Sequence, residues 1–209
     1  TEQIPKDTNR KVHLEMNIRS ILAGLLGSLS SPPDLTVCSS PCVPGNETLM
    51  SPKEHGTSHT PVQNPLRWGC DHKVADRICN FNRHYAEYSG YFQTTSFLSE
   101  ALAASEDNTL LRFYDSNTGR LLFEAPQGRT MNDFINESRR HGWPSFRDDE
   151  VKWKFVRILP NGETVSVDGT HLGHNLPDGK GNRYCINLVS IAGNPVETLN
   201  SRQLTNSKP

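Results

Sequence analysis

The sequence has no pair of cysteines spaced Cys-x-x-Cys. It therefore lacks the usual nucleus of a four-thiolate zinc site. It also has no run approaching the ~20 consecutive apolar residues that span a bilayer, which argues against a transmembrane span. The nearest stretch, Ile18 to Leu29, is short and interrupted by Arg19. That stretch reads either as an amphipathic helix or as the remnant of a targeting sequence. An excess of positive charge is missing too: 22 Lys and Arg face 23 Asp and Glu, for a formal net charge of -1. With no basic surplus there is no electrostatic footprint for gripping a phosphate backbone, so nucleic acid is not expected as a partner. No internal repeat is visible.

What is present suffices for one compact domain with tails. The chain has 209 residues, 34% of them hydrophobic and 22% charged. Residues 1–69 read as an irregular N-terminal extension. Pro32, Pro33, Pro41, Pro44, Pro52, Pro61 and Pro65 punctuate a run rich in Ser, Thr and Asn. Such a segment is expected to bury too little apolar surface to offset its ordering entropy. Only its end, Leu66-Arg-Trp68, is amphipathic enough to suggest packing. Residues 70–193 read as the folded domain and 194–209 as a polar C-terminal tail.

Within the domain, Leu110–Tyr114 and Arg120–Glu124 flank the turn Asp115-Ser-Asn-Thr-Gly119, the pattern of strand, turn, strand. Val151 to Ile158 alternates apolar and charged side chains, Pro160-Asn-Gly-Glu163 turns the chain, and Thr164 to Asp168 alternates back. This predicts a hairpin of half-buried strands. Tyr184–Ile191 is a last predicted strand. Helices are predicted after Ser96 and after Thr130, each a candidate N-cap, and one or two helical turns fit within Asp71–Asn82. The expectation is a mainly β fold with short peripheral helices.

The five cysteines, Cys38, Cys42, Cys70, Cys79 and Cys185, make an odd count. The first four admit three pairings that leave Cys185 free. Asn46-Glu-Thr and Asn136-Glu-Ser fit the N-glycosylation pattern. The compartment stays open, with an organelle or the secretory route favoured over the cytoplasm.

Three segments concentrate the reactive side chains: Gly142-Trp-Pro-Ser-Phe146, His171-Leu-Gly-His174 with Asp178-Gly179, and Arg183-Tyr-Cys-Ile-Asn187. A reactive thiol needs a lowered pKa, which a neighbouring Arg or protonated His supplies. Reducing a sulfoxide also needs an acid for the departing oxygen, a role suited to His near neutral pH. Trp143 offers an apolar wall for a methyl group. Against this stand two blander readings: Cys185 as a buried core residue, and the histidines as hydrogen-bonding groups of a loop. Zinc held by His171, His174 and Cys185 is a third option, one ligand short of a structural site.

Taken together and in this order, the three motifs resemble the signature of the B-type methionine sulfoxide reductases, over roughly Tyr85–Ser190. The similarity begins at Ala86-Glu-Tyr-Ser-Gly-Tyr, which resembles the family's opening turn on the substrate side. The resemblance implies two antiparallel sheets packed like a tent. It also implies thiol-dependent reduction of methionine-R-sulfoxide in proteins or peptides through a sulfenic acid on Cys185. By the same resemblance His171 and His174 are the active-site histidines, and Asp178 and Asn187 orient them and the bound sulfoxide. Trp143 packs on the substrate methyl and Arg183 flanks the nucleophile.

The departures are as specific. The family's zinc thiols fall here on Asp115, Thr118, Val165 and Asp168, so structural zinc is expected to be absent and no cofactor is expected. The common resolving position before Gly142 holds His141, and the loop from Asp178 to Arg183 is short. Cys79 and Cys70 are then the candidate resolving thiols. Alternatively they form a disulfide with each other, and a thioredoxin-like reductant acts on Cys185 directly. A catalytically silent module, kept for binding or as a structural subunit of a larger assembly, is the competing reading of the whole chain.

Overall fold

The structure, a computed structural model, describes residues 38–196. The Ile18–Leu29 stretch and the tail from residue 197 lie outside the described residues. Within them the protein is mainly β, with two antiparallel sheets and short helices, as the sequence leads one to expect.

The small sheet pairs β1 (Leu111–Tyr114) with β2 (Leu121–Ala125). The large sheet holds β3 (Ser145–Phe146), β4 (Val156–Ile158), β5 (Glu163–Ser166), β6 (His171–Asn175) and β7 (Tyr184–Ile186). Their spatial order is β3-β7-β6-β5-β4, every neighbour antiparallel. The alternation from Val151 does not make one strand. Val151 bridges to Phe123 of the small sheet, the chain then turns through Phe155 N–H to the Lys152 carbonyl, and only Val156–Ile158 joins β5. The predicted last strand also ends early, at Ile186, because the amides of Leu188 and Val189 are taken by the Glu87 carboxylate.

Three helices flank the sheets. In α1 (His72–Asp76) the Asp71 carboxylate accepts from the amides of Lys73 and Val74, and a single π-turn, Arg77–Phe81, continues it. In α2 (Phe97–Glu106) the expected cap moves by one residue. Ser96 is not extended, with ψ 3°, so its hydroxyl misses the free amides, and the Thr95 hydroxyl accepts from Phe97 N–H instead. In α3 (Met131–His141) Thr130 and Asp133 close a reciprocal capping box, and Arg139, Arg140 and His141 suit the negative end of the helix dipole.

The expectation that the stretch up to residue 69 buries too little to be ordered fails for residues 38–69. Regular structure is sparse there, yet Met50, Val62, Leu66 and Trp68 are all buried. Val43 and Gly45 exchange backbone hydrogen bonds with Ile158, which covers the open edge of β4. Cys38 and Cys42 form a disulfide. Apolar residues placed singly, Val62, Leu66 and Trp68 in the main core and Met50 in a small cluster with Leu159 and Val165, do here what a continuous hydrophobic run does elsewhere.

That core is aromatic. Phe146 stacks on Phe123 with ring centroids 4.3 Å apart and meets Phe113 edge-on at 4.9 Å. Since Phe146 belongs to β3, it locks the large sheet to the small one. Phe146→Ala should therefore cost about 3–5 kcal/mol in denaturant unfolding, as expected for truncating a fully buried Phe.

Candidate active site

β7 carries the thiol and β6 carries the histidines. Cys185 lies directly opposite His174 in the antiparallel register. Residues so opposed project from the same face of a sheet, so this pairing alone brings thiol and imidazole together. His171 is three residues before His174, and strict alternation would send it to the other face. The register of β5 and β6 resolves this. Gly173 opposes Thr164 while His171 opposes Val165, so β6 carries one extra residue, a β-bulge at Leu172. The two imidazoles end with ring centroids 5.7 Å apart.

Gly173 is required where it stands, because a Cβ there would lie 2.0 Å from the Cys185 carbonyl oxygen. Gly142 is required for a similar reason. It ends α3 in the left-handed region, with φ 89°, and a Cβ there would lie 2.0 Å from Ser89 Oγ. The chain then delivers Trp143, whose Nε1 donates to the Glu87 carbonyl at 3.1 Å.

A pocket of about 250 Å³ results, lined by Trp143, His171, His174, Cys185 and Asn187, with Tyr85 and Leu176 also on its walls. Asn187 is built into the frame: its Nδ2 donates to the Leu172 carbonyl and its Oδ1 accepts from Glu87 N–H. Behind His171 stands Glu163, which sequence reasoning passed over. His171 Nδ1 donates to Glu163 Oε1 at 2.7 Å, leaving Nε2 as the ring atom able to meet a substrate. Arg83 in turn forks onto both Glu163 oxygens. Burial pushes the Glu163 carboxyl up, but these donors outweigh it and hold the carboxyl below its ordinary range. Burial, and then the positive side of His171, push His174 down, so it is neutral near pH 7. Burial likewise pushes the Cys185 thiol up, with the Arg183 guanidinium pulling the other way.

Two expected site residues stand outside the pocket lining. Asp178 does not orient the histidines. Its carboxylate takes two bonds from Arg147, which hold it well below the usual carboxylate range, and lies 3.6 Å from Arg183 Nε. Glu163 does the orienting: it opposes His174 on the paired strand and its carboxylate reaches diagonally to His171, while Asp178 is in the turn beyond β6. Arg183 is buried behind the thiol, with Nε and Nη1 making no hydrogen bond.

The two candidate resolving thiols are also elsewhere. Cys70 and Cys79 are free, buried and not joined to each other, and neither lines the pocket. Cys79 is wholly enclosed, its thiol donating to Ser190 Oγ, and burial pushes Cys70 up to about 12. Both are packed into the core.

At three of the four positions where the resemblance would put zinc thiols, side-chain oxygens tie the turns together. Thr118 Oγ1 donates to Asp168, Arg120 pairs with Asp168, and Thr170 Oγ1 donates to Asp115. Val165 is fully buried. Among the described residues, the side chains whose ligand-type atoms gather within 4.8 Å are Glu137, His141 and Asp178, not His171, His174 and Cys185. There the Arg147 guanidinium already bridges Glu137 and Asp178. The neighbouring cleft of about 630 Å³ along α3 is larger than the thiol pocket, but it is lined by polar and charged side chains, several paired with one another, and by no thiol or hydroxyl.

The chain matches no family model and no curated protein.

Gly173→Ala should force β7 away from β6 and cost about 1–3 kcal/mol, the usual penalty of overpacking. Thermal unfolding measures the cost. Alkylation of Cys185, tracked by peptide mapping, should change in rate in the same variant.

Proposed function

We propose that this protein reduces methionine-R-sulfoxide in proteins or peptides, with Cys185 as the nucleophile. The observation that carries the reading is the single pocket sharing the thiol, both imidazoles, the Asn187 amide and the Trp143 indole. Three motifs far apart in sequence supply those groups, and they are the ones on which the resemblance rests.

The sulfoxide methyl packs on Trp143, and the sulfur faces Cys185. The Cys185 sulfur attacks the sulfoxide sulfur. Its proton passes to His174, which is neutral and directly opposite, and from there to the sulfoxide oxygen. The attack makes an S–S bond between Cys185 and the substrate; that bond and the substrate S–O bond then break as the protonated oxygen passes to Cys185, leaving methionine and a sulfenic acid. The substrate sulfur gains two electrons and the cysteine sulfur loses two. His171, held by Glu163, presents Nε2 as the second proton carrier. Arg183 supplies the positive charge that favours the thiolate as the proton departs. Because Cys70 and Cys79 lie off the pocket, a thioredoxin-like partner or another external thiol recycles the enzyme. Two thiols reduce the sulfenic acid, forming a disulfide and releasing water.

The silent-module reading draws on the burial that pushes the Cys185 thiol up. Turnover with dithiothreitol separates the two. The wild-type chain should reduce the R epimer and ignore the S epimer, and Cys185→Ser should lose at least about 10³-fold in kcat, as for a missing nucleophile. Appreciable turnover in the Ser variant, or none in the wild type, defeats the proposal.

We also propose that the fold needs no zinc, since Thr118 and Asp168 bond to each other, Asp115 accepts from Thr170, and Val165 has no ligand atom. Elemental analysis should find well under one zinc per chain, and a chelator should leave the unfolding temperature unchanged. One zinc per chain with loss of the fold on chelation refutes this.

A further inference from the structure

We propose that Glu87 is the positioning residue of this site: it fixes Trp143, Asn187 and the backbone after Cys185, and through them the setting of the thiol. The proposal rests on reading Cys185 as the nucleophile.

Every polar atom of Glu87 is engaged with the site. Its N–H donates to Asn187 Oδ1 at 3.2 Å, and its carbonyl accepts from Trp143 Nε1 at 3.1 Å. Oε1 accepts from Leu188 N–H at 2.8 Å and Oε2 from Val189 N–H at 3.0 Å. One residue thus joins the Trp143 wall, the Asn187 frame and the turn that stops β7. The two side-chain bonds explain why a carboxylate stands here. Adjacent amides present two donors, and an ionised carboxylate is acceptor-only with two oxygens. An amide in its place would set an N–H₂ against one of the backbone donors. An apolar side chain would leave two buried amides without a partner.

Glu87 is only 3% exposed, and its partners there are neutral backbone amides. A buried carboxylate held that way is strained toward its neutral form. Burial pushes it up to about 7, with the two amide bonds pulling down. It therefore changes charge near neutral pH. Burial is what chiefly pushes up the thiols of Cys70, Cys79 and Cys185 and the Tyr91 phenol, and the Glu87 charge adds to it at each. At Cys185 it opposes Arg183. Above pH about 7 Glu87 is ionised and the thiol is held up. Below it Glu87 is neutral, and Arg183 acts on the thiol without that opposition.

The test is the pH profile of iodoacetamide alkylation at Cys185 in the full chain, resolved by peptide mapping. Protection of Cys70 and Cys79 from the reagent reports an intact fold. Glu87→Gln should move the Cys185 midpoint down by about 0.5–1 pH unit, the size expected for removing one nearby like charge. Glu87→Asp keeps the charge and should leave the midpoint high. A purely structural role for Glu87 would leave the midpoint of a folded Glu87→Gln variant where it was, and that result overturns the proposal. Should Glu87→Gln fail to fold, the wild-type chain labelled with ¹³C decides. The Glu87 carboxyl resonance should titrate near 7, with a matching step at Cys185 Cβ. Titration in the ordinary carboxylate range, or no step at Cys185, overturns it. Neither measurement uses a sulfoxide, so a chain that failed as a reductase would still answer the question.

Discussion

The antiparallel pairing of β6 with β7 is the constraint on which the site depends. It sets Cys185 against His174 without any side-chain interaction to hold them there, because directly opposed residues of a ladder share a face. The β-bulge at Leu172 adds His171 to that face, and Gly173 lets the two strands approach as closely as the ladder needs. The reacting groups thus sit on sheet backbone, whose geometry is fixed by hydrogen bonds, and the loops contribute walls.

Around that ladder the protein buries charge. Arg83, Glu163 and His171 form a chain from the surface to the pocket, and Arg147 joins Glu137 to Asp178 near the other end of β6. Removing charges from water costs several kcal/mol per ion, so such chains are weak evidence for stability. They are better understood as orientation. Glu163 leaves His171 only one way to present its second nitrogen, and Arg147 keeps Asp178 and the short turn beyond β6 in place. In the proposed reaction the first chain matters to the proton and the second to the position of Arg183.

Much of the fold was legible because the signals are local. The hairpin of β4 and β5, the pair β1 and β2, and the capping box of α3 each follow from a period, a turn or a cap within a few residues. Residues 38–69 were not legible, because their apolar side chains come singly and acquire meaning only from the core they enter. The edge of β4 that Val43 and Gly45 cover is equally invisible from their own neighbours. Strand ends failed for the same reason: β7 stops at Ile186 because of a carboxylate 101 positions before Leu188.

The sequence by itself determined the chemical inventory: a lone thiol near Arg183, two histidines three apart, and a tryptophan after a helix-ending glycine. Only the tertiary structure decided which of these meet. Spacing in a regular strand would have parted His171 from His174, and the bulge reunites them. Asp178, adjacent in sequence to the histidines, faces away, while Glu163 and Glu87 reach the site from other segments. The sequence reads Glu163 as the end of a turn, whereas it opens β5, so nothing local signalled that it faces a histidine. A side chain's type is written in the sequence, but the partners that set its proton affinity are set by packing across the chain.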